Sequence, residues 1–252
     1  MRRALLLLAL VVVALAMQAP AWLLARSVLE RSGGVVELRN PSGTIWNGQA
    51  DAVVRGKTAG EREIFAGTMV WRVERVDWQR RALIFDLRQT PAAARPATIA
   101  LGADRIRIAG SARLPAAVAE RVPLLAGWTI AGEALADTDT LEWADGTGTG
   151  TVTVHWRNAT LAPPDLPGGF ALGEVTAQVV LDGRAVVVSV RNSGGELELT
   201  GDASSRSGTV ALLLKPRGGT SGASGAQAAW LQSHTMGHTA RGYAIDAGWP
   251  RP

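Results

Sequence analysis

Two runs rich in β-branched residues, Glu174 to Leu181 and Arg184 to Val190, meet at Asp182-Gly183. A two-residue Asp-Gly connection tolerates positive φ and matches the twist of the strands it joins, so the pair reads as an antiparallel hairpin. Asn192-Ser193-Gly194-Gly195 makes the next turn and Glu196 to Thr200 the next strand, and Ser204 to Gly208 turns the chain again before Val210 to Lys215. Four consecutive strands joined by short turns form an antiparallel meander. Such a sheet leaves two edges that something has to cover.

The same period of two runs upstream. Met69, Trp71 and Val73 alternate with Val70, Arg72 and Glu74, the pattern of a strand with one buried face. Trp78-Gln79-Arg80-Arg81 turns the chain, and Leu83, Phe85 and Leu87 return it. Ile106 and Ile108 mark a short strand, and Val152, Val154 and Trp156 alternate with Thr151, Thr153 and His155 until Pro163-Pro164 and Pro167-Gly168-Gly169 break the pattern. Pro115 fits the first turn of a helix over Ala116 to Arg121, stopped by Pro123. This phase predicts burial of Trp46, Trp71, Phe85, Val154, Trp156, Val187 and Leu212. After Lys215 a Gly/Ser-rich stretch, Pro216 to Gly225, separates the sheet from a helical segment around Ala228 to Leu231 and a last strand at Tyr243 to Asp246 that closes the sheet. The low apolar content of the tail from Gly218 equally fits a segment without order.

At the other end of the chain, Ala4 to Ala25 carries no charge. At 1.5 Å rise per residue a helix over this segment spans about 33 Å, enough for a hydrocarbon core of roughly 30 Å. Arg2 and Arg3 precede it and place the start of the chain on the cytoplasmic side and the remainder in the exported compartment. Trp22 falls near the outer interface, and Pro20 is expected to kink the helix without ending it. A cleavable signal peptide competes with this reading, because Ala14-Leu15-Ala16 is an acceptable small-x-small site. The division that follows is residues 1–26 as cytoplasmic tip and transmembrane anchor, 27–215 as a periplasmic antiparallel β-domain, curved or two-sheet, with one short helix and a subdivision near residue 140, and 216–252 as linker and tail.

Little in the chain suggests catalysis. Cysteine is absent, which excludes thiolate metal sites and cysteine nucleophiles. Of the three histidines, His155, His234 and His238, none has a carboxylate at a spacing that makes a recognised acid-base pair. His234 and His238 are spaced as zinc ligands on one helical face, but no glutamate follows His234 as a general base and Gly237 weakens the helix. Gly146-Thr147-Gly148-Thr149-Gly150 lacks the lysine and the following helix of a phosphate loop and reads as a β-turn. The net charge of +4 is carried by scattered arginines, with Lys57 and Lys215 the lysines, which fits a solvated face better than a nucleic-acid patch. No catalytic, cofactor-binding or metal-binding residues are assigned. A periplasmic hydrolase acting through His155 is the weakest reading, since that residue falls on the polar face of its strand.

One motif is specific. Ser42-Gly43-Thr44-Ile45-Trp46-Asn47-Gly48-Gln49-Ala50 reads architecturally as a strand bracketed by Gly43 and Gly48, with Ile45 and Trp46 on opposite faces. Buried, Trp46 would remove roughly 150–250 Å² from water and anchor the sheet beside the membrane. The motif resembles the Ser-Gly-Thr-(aliphatic)-Trp-(small)-Gly-x-Ala segment of the type II secretion system protein N family. Val70-Trp71-Arg72-Val73, Phe85-Asp86-Leu87-Arg88, Leu114-Pro115, Trp156-Arg157-Asn158-Ala159 and the Asp182-Gly183 hairpin extend the resemblance along most of the chain. Asn47 stands where the family often has serine, and the Gly/Ser-rich stretch after Pro216 departs from the family pattern. The structural residues so marked are Ser42, Gly43, Thr44, Ile45, Trp46, Gly48, Ala50 and Trp71.

The resemblance implies an accessory component of the machinery that moves folded proteins across the outer membrane of a Gram-negative bacterium. It implies a non-enzymatic, single-pass inner-membrane protein whose partners are other type II secretion components, in the inner-membrane platform or the secretin complex, and inner-membrane lipid. It implies neither cofactor nor nucleic acid. The alternative is a membrane-tethered periplasmic lipid-binding or lipid-transfer domain, because a curved antiparallel sheet with one apolar face offers a groove for acyl chains.

Overall fold

The computed structural model describes residues 17–55, 63–121, 127–166, 168–217, 225–234, 237–239 and 242–248. It separates into two compact units, Met1–Ala103 and Asp104–Pro252. Residue 140, near which a subdivision was expected, lies within a long strand of the second unit, Thr129–Ala144.

In the first unit, α1 (Ala21–Arg31) precedes five strands: β1 (Val36–Gly43), β2 (Asn47–Val54), β3 (Ile64–Asp77), β4 (Ala82–Thr90) and β5 (Ala97–Leu101). Each pairs antiparallel with the next. Alternation in β3 works as read: Trp71 is 3% exposed and faces Ala21 and Ala50, with Leu24, Leu38, Phe85 and Leu87 around them. The strand turns back through Trp78, which is 84% exposed.

The apolar N-terminal run does not continue as one helix to Ala25. Pro20 is extended, with φ −72° and ψ 151°, and bridges Thr44. Proline lacks the N–H that a continuing helix would need and its ring clashes with the preceding turn, so a new helix starts after it. Ala21 and Ala25 are buried in the first unit, and Trp22 and Leu23 are exposed. Ala4 to Ala16 lie outside the described residues. Among those described, no helix is long and apolar enough to cross a membrane. Helix α1 ends at Ser32-Gly33-Gly34, where both glycines take positive φ and the Gly34 N–H bonds to the Leu29 carbonyl at 2.8 Å, a glycine stop.

The second unit begins with β6 (Arg105–Pro115), a 3-10 helix (Ala116–Arg121), β7 (Thr129–Ala144) and β8 (Thr147–Ala162). Next come β9 (Phe170–Gly183), β10 (Ala185–Ser193), β11 (Leu197–Ser204) and β12 (Thr209–Pro216), then α2 (Gly225–His234), β13 (Gly237–Thr239) and β14 (Gly242–Gly248). Strands β6 to β12 pair in chain order, all antiparallel, and β14 adds beside β12 with β13 outside it. The Asp182-Gly183 hairpin, the meander to Lys215, the C-terminal helix and the closing strand all stand where the residue pattern puts them.

Three local expectations are corrected. Pro115 does not open an α-helix; it is the last residue of β6, paired with Glu133, and the six residues after it wind as a 3-10 helix. Proline's fixed φ suits a strand end as well as a first helical turn, so its presence alone does not discriminate. Val187 is 42% exposed, because the inward residues of β10 are Val186, Val188 and Val190. Trp46 is half-buried at a bend and not in a strand. Pro123 lies outside the described residues.

The core of the second unit gathers Leu172, Leu197 and Leu231, all at most 1% exposed, beside Phe170, Leu166 and Trp230. Helix α2 closes one end of the sheet's apolar face. Gln227 Nε2 donates to the Gly169 carbonyl at 2.7 Å and to Glu196 Oε2 at 2.8 Å, and Trp230 Nε1 donates to Asp165 Oδ1 at 2.7 Å.

Candidate functional site

The motif residues form the tip of the β1–β2 hairpin. Thr44 organises it: its Oγ1 accepts the backbone N–H groups of Trp46 and Asn47, each at 3.2 Å, a hydroxyl-closed turn. Gly43 has φ +86°, and a Cβ there would strike the Asn47 carbonyl. A Cβ on Gly48 would stand 2.6 Å from both the Ser42 carbonyl oxygen and Trp71 Cζ2. Both glycines are therefore required for the hairpin to close against β3.

Three bonds tie this tip to its surroundings. Trp71 Nε1 donates to the Thr44 carbonyl at 3.1 Å, Val73 N to the Trp46 carbonyl at 2.7 Å, and Ile45 N to the Ala19 carbonyl at 2.9 Å. Ala50 is 2% exposed beneath Trp71, while Ser42 is exposed and Thr44, Ile45 and Trp46 are half-buried. The structure thus brings Gly43, Thr44, Gly48, Ala50 and Trp71 into one knot, with Trp71 in the anchoring place that the sequence suggests for Trp46. The roles of Ala19 and Val73 escape sequence reasoning because each contributes only a backbone group.

That knot belongs to a known family. The family model for Type II secretion system (T2SS), protein N matches residues 35–232. This chain belongs to the type II secretion system protein N family. The match takes in the whole motif hairpin and runs through the second unit into α2, so the Gly/Ser-rich stretch after Pro216 falls within it. Family membership makes the chain part of a group of type II secretion components and supports a role in protein transport. Neither the curated proteins nor the solved structures contain a significant match to it.

Among the described residues, no acid-base or metal constellation accompanies the knot. His155 is exposed on the polar face of β8, paired with Leu135 of β7 and Thr176 of β9, with Arg191 of β10 in the same row beyond Thr176. His234 ends α2 and His238 lies in β13, so the two do not share a helical face. Among the described residues no three His, Asp or Glu side chains are grouped to hold a metal. Gly146 turns the β7–β8 hairpin with φ +73°, and nothing lies within 4 Å of where a Cβ would stand, an open turn without a phosphate-cradling helix.

In the second unit of this family member the opposite sheet face holds a cavity of about 310 Å³. Its walls are apolar, with Trp128, Trp156, Phe170 and Trp230 at one end and Val154, Ala177 and Val190 along the floor. Trp156 Nε1 donates to the Ala131 carbonyl at 2.9 Å, and Trp230 Nε1 is held by Asp165, so these two indoles turn their polar atoms to protein partners. Period-two alternation foretells the apolar face, but not that α2 stands off it far enough to leave a void.

Proposed function

We propose that the chain is a non-enzymatic component of the type II secretion apparatus, tethered to the inner membrane by its apolar N-terminal segment, with both units in the periplasm. It acts there through protein–protein contacts with the inner-membrane platform or the secretin complex. The observation that carries this reading is the family match over residues 35–232.

The tether is supported by chemistry where the apolar run enters the first unit. Met17, Trp22 and Leu23 are 67%, 52% and 39% exposed, apolar side chains suited to the headgroup region, where tryptophan is favoured. Docking by strand addition at β1 is disfavoured: Pro41 and the register shift between Arg39 and Ser42 blunt that edge. The β3–β4 hairpin tip is the better contact element. Trp78 projects from it beside Arg80 and Arg81, a residue combination enriched at interaction hot spots.

Deleting the gene tests the role directly: type II substrates should accumulate in the periplasm while their synthesis is unchanged, and normal secretion would overturn it. Protease added to spheroplasts should degrade the domain from outside, and protection there would overturn the periplasmic placement.

A further inference from the structure

We propose that the cavity in the second unit is a binding site for one unbranched alkyl chain, such as the chain of a fatty acid or of an acylated lipid. The proposal stands on the cavity alone and does not depend on the secretion role.

The size is right for a single chain. At the ~30 Å³ that a water-sized group occupies, 310 Å³ admits on the order of ten methylenes. A peptide is the wrong occupant, because its backbone N–H and C=O groups would enter a space walled by apolar side chains and lose water without gaining partners. A polar small molecule meets the same objection.

The register shows where the rest of such a chain goes. The cavity floor is the rung Val154–Ala177–Val190. The next inward rung is Val152–Val179–Val188, and the next Gly150–Leu181–Val186. These residues are half-buried, and Gly150 leaves the last rung without a side chain on β8. Two rungs at ~3.4 Å per residue extend the apolar lane by roughly 14 Å beyond the cavity floor. At the far end of the lane Trp143, 49% exposed, pairs with Gly148, and a Cβ on Gly148 would lie 2.7 Å from the indole. The lane is thus closed at the α2 end, where Leu172, Leu197 and Leu231 are packed solid, and open at the β9–β10 turn. A blind apolar cavity that opens onto an apolar lane of the sheet holds a chain by its tail and leaves a polar head in water, the arrangement that an amphiphile requires.

The opposite face of the same strands provides the contrast. There His155, Thr176, Arg191 and Thr200 follow one another across four strands, and Thr153, Gln178, Ser189 and Asp202 form the adjacent row. A chain therefore has one face to choose.

The test uses the full chain purified without alkyl detergent. Organic extraction and mass spectrometry are expected to recover one chain-bearing molecule per protein, either a free fatty acid or an acylated lipid, and the species found identifies the source. Stripped protein is then titrated with laurate and palmitate, and separately incubated with phosphatidylglycerol vesicles. Ala177→Phe places a ring on the cavity floor, and Ala119→Leu narrows the wall from the 3-10 helix. Each methylene kept out weakens binding about four-fold, so a folded Ala177→Phe protein should bind more than about ten-fold more weakly. Val187→Phe, on the polar face, should bind as the parent does. Circular dichroism and the melting temperature establish folding, and Ala119→Leu carries the test if Ala177→Phe does not fold. The proposal fails if the parent protein yields no chain and takes up none from any of the three sources. It fails equally if folded Ala177→Phe or Ala119→Leu binds as the parent does, or if Val187→Phe loses binding to the same extent.

Discussion

The indole nitrogen of Trp71 lies 3.1 Å from the carbonyl oxygen of Thr44, so the most buried tryptophan of the first unit holds the tip of the β1–β2 hairpin by its one polar atom. The ring and the hydrogen bond contribute separately. Trp71→Ala should cost about 3–5 kcal/mol, in the range of large aromatic truncations. Trp71→Phe should cost less, although it leaves the Thr44 carbonyl without that donor. Trp46→Ala, at a half-buried bend, should be milder than Trp71→Ala. Denaturant unfolding of the three variants gives the ranking, and a Trp46→Ala variant less stable than Trp71→Ala would show that the anchor is misassigned.

The close approach at Gly48 predicts a large effect from one methyl group. Gly48→Ala sets a Cβ 2.6 Å from the Ser42 carbonyl and from the Trp71 ring, and backbone cannot yield cheaply there. A loss of about 1–3 kcal/mol is expected, typical of overpacking. Gly146→Ala, with nothing within 4 Å, meets only the penalty of its positive φ, about 1 kcal/mol. Comparable melting temperatures for the two variants would contradict the steric account.

Asp51 supplies a pH dependence. Thr68 Oγ1 donates to Asp51 Oδ1 at 2.7 Å and Asn40 Nδ2 to Oδ2 at 3.2 Å, and these bonds, the threonine's first, hold the carboxyl below its ordinary value of 3.8. A depressed folded pKa means that the unfolded chain takes up the proton first on acidification. The stabilisation is therefore fully present above the unfolded value and disappears as pH falls through the folded one. Thr68→Val should raise the Asp51 pKa, as followed by carboxyl-carbon NMR, and should flatten the loss of stability in that acid window. An unchanged titration would show that the threonine bond is not made in solution.

Helix α2 is latched by polar bonds at the edge of an apolar contact. Trp230→Phe keeps a ring against Trp128 and Phe170, whose centroids lie 5.7 and 5.6 Å from that of Trp230, but removes the donor to Asp165. Gln227→Ala removes the bonds to Gly169 and Glu196. Each change should cost about 1–3 kcal/mol, since a hydrogen bond to a carboxylate is lost. Amide exchange within Gly225–His234 should quicken more than in β9 and β10. Uniform acceleration across the second unit would show that α2 unfolds only with the sheet.

Much of the strand pattern follows from the residues themselves. The Asp182-Gly183 turn determined a pair of neighbouring strands and alternation in Val152 to Trp156 the faces of the strand beside them, because period two and turn chemistry act within a few residues, whereas the phase read for Val187 was one residue off. The Ser42 to Ala50 motif led to the family, although it read as a strand bracketed by Gly43 and Gly48 and forms a hairpin tip at which those glycines allow close backbone approach. Local pattern did not settle which tryptophan anchors the motif, because Trp46 and Trp71 are equally apolar and the choice depends on which indole can reach the Thr44 carbonyl from another strand. Nor did it settle the fate of Ala21 and Ala25, which read as the end of an uncharged run yet pack against Ala50 and Trp71 once Pro20 has ended the preceding segment. The cavity is likewise tertiary. Alternation creates an apolar sheet face, but a void forms only where α2, fixed by Asp165 and Gln227, closes one end of that face before side chains can fill it.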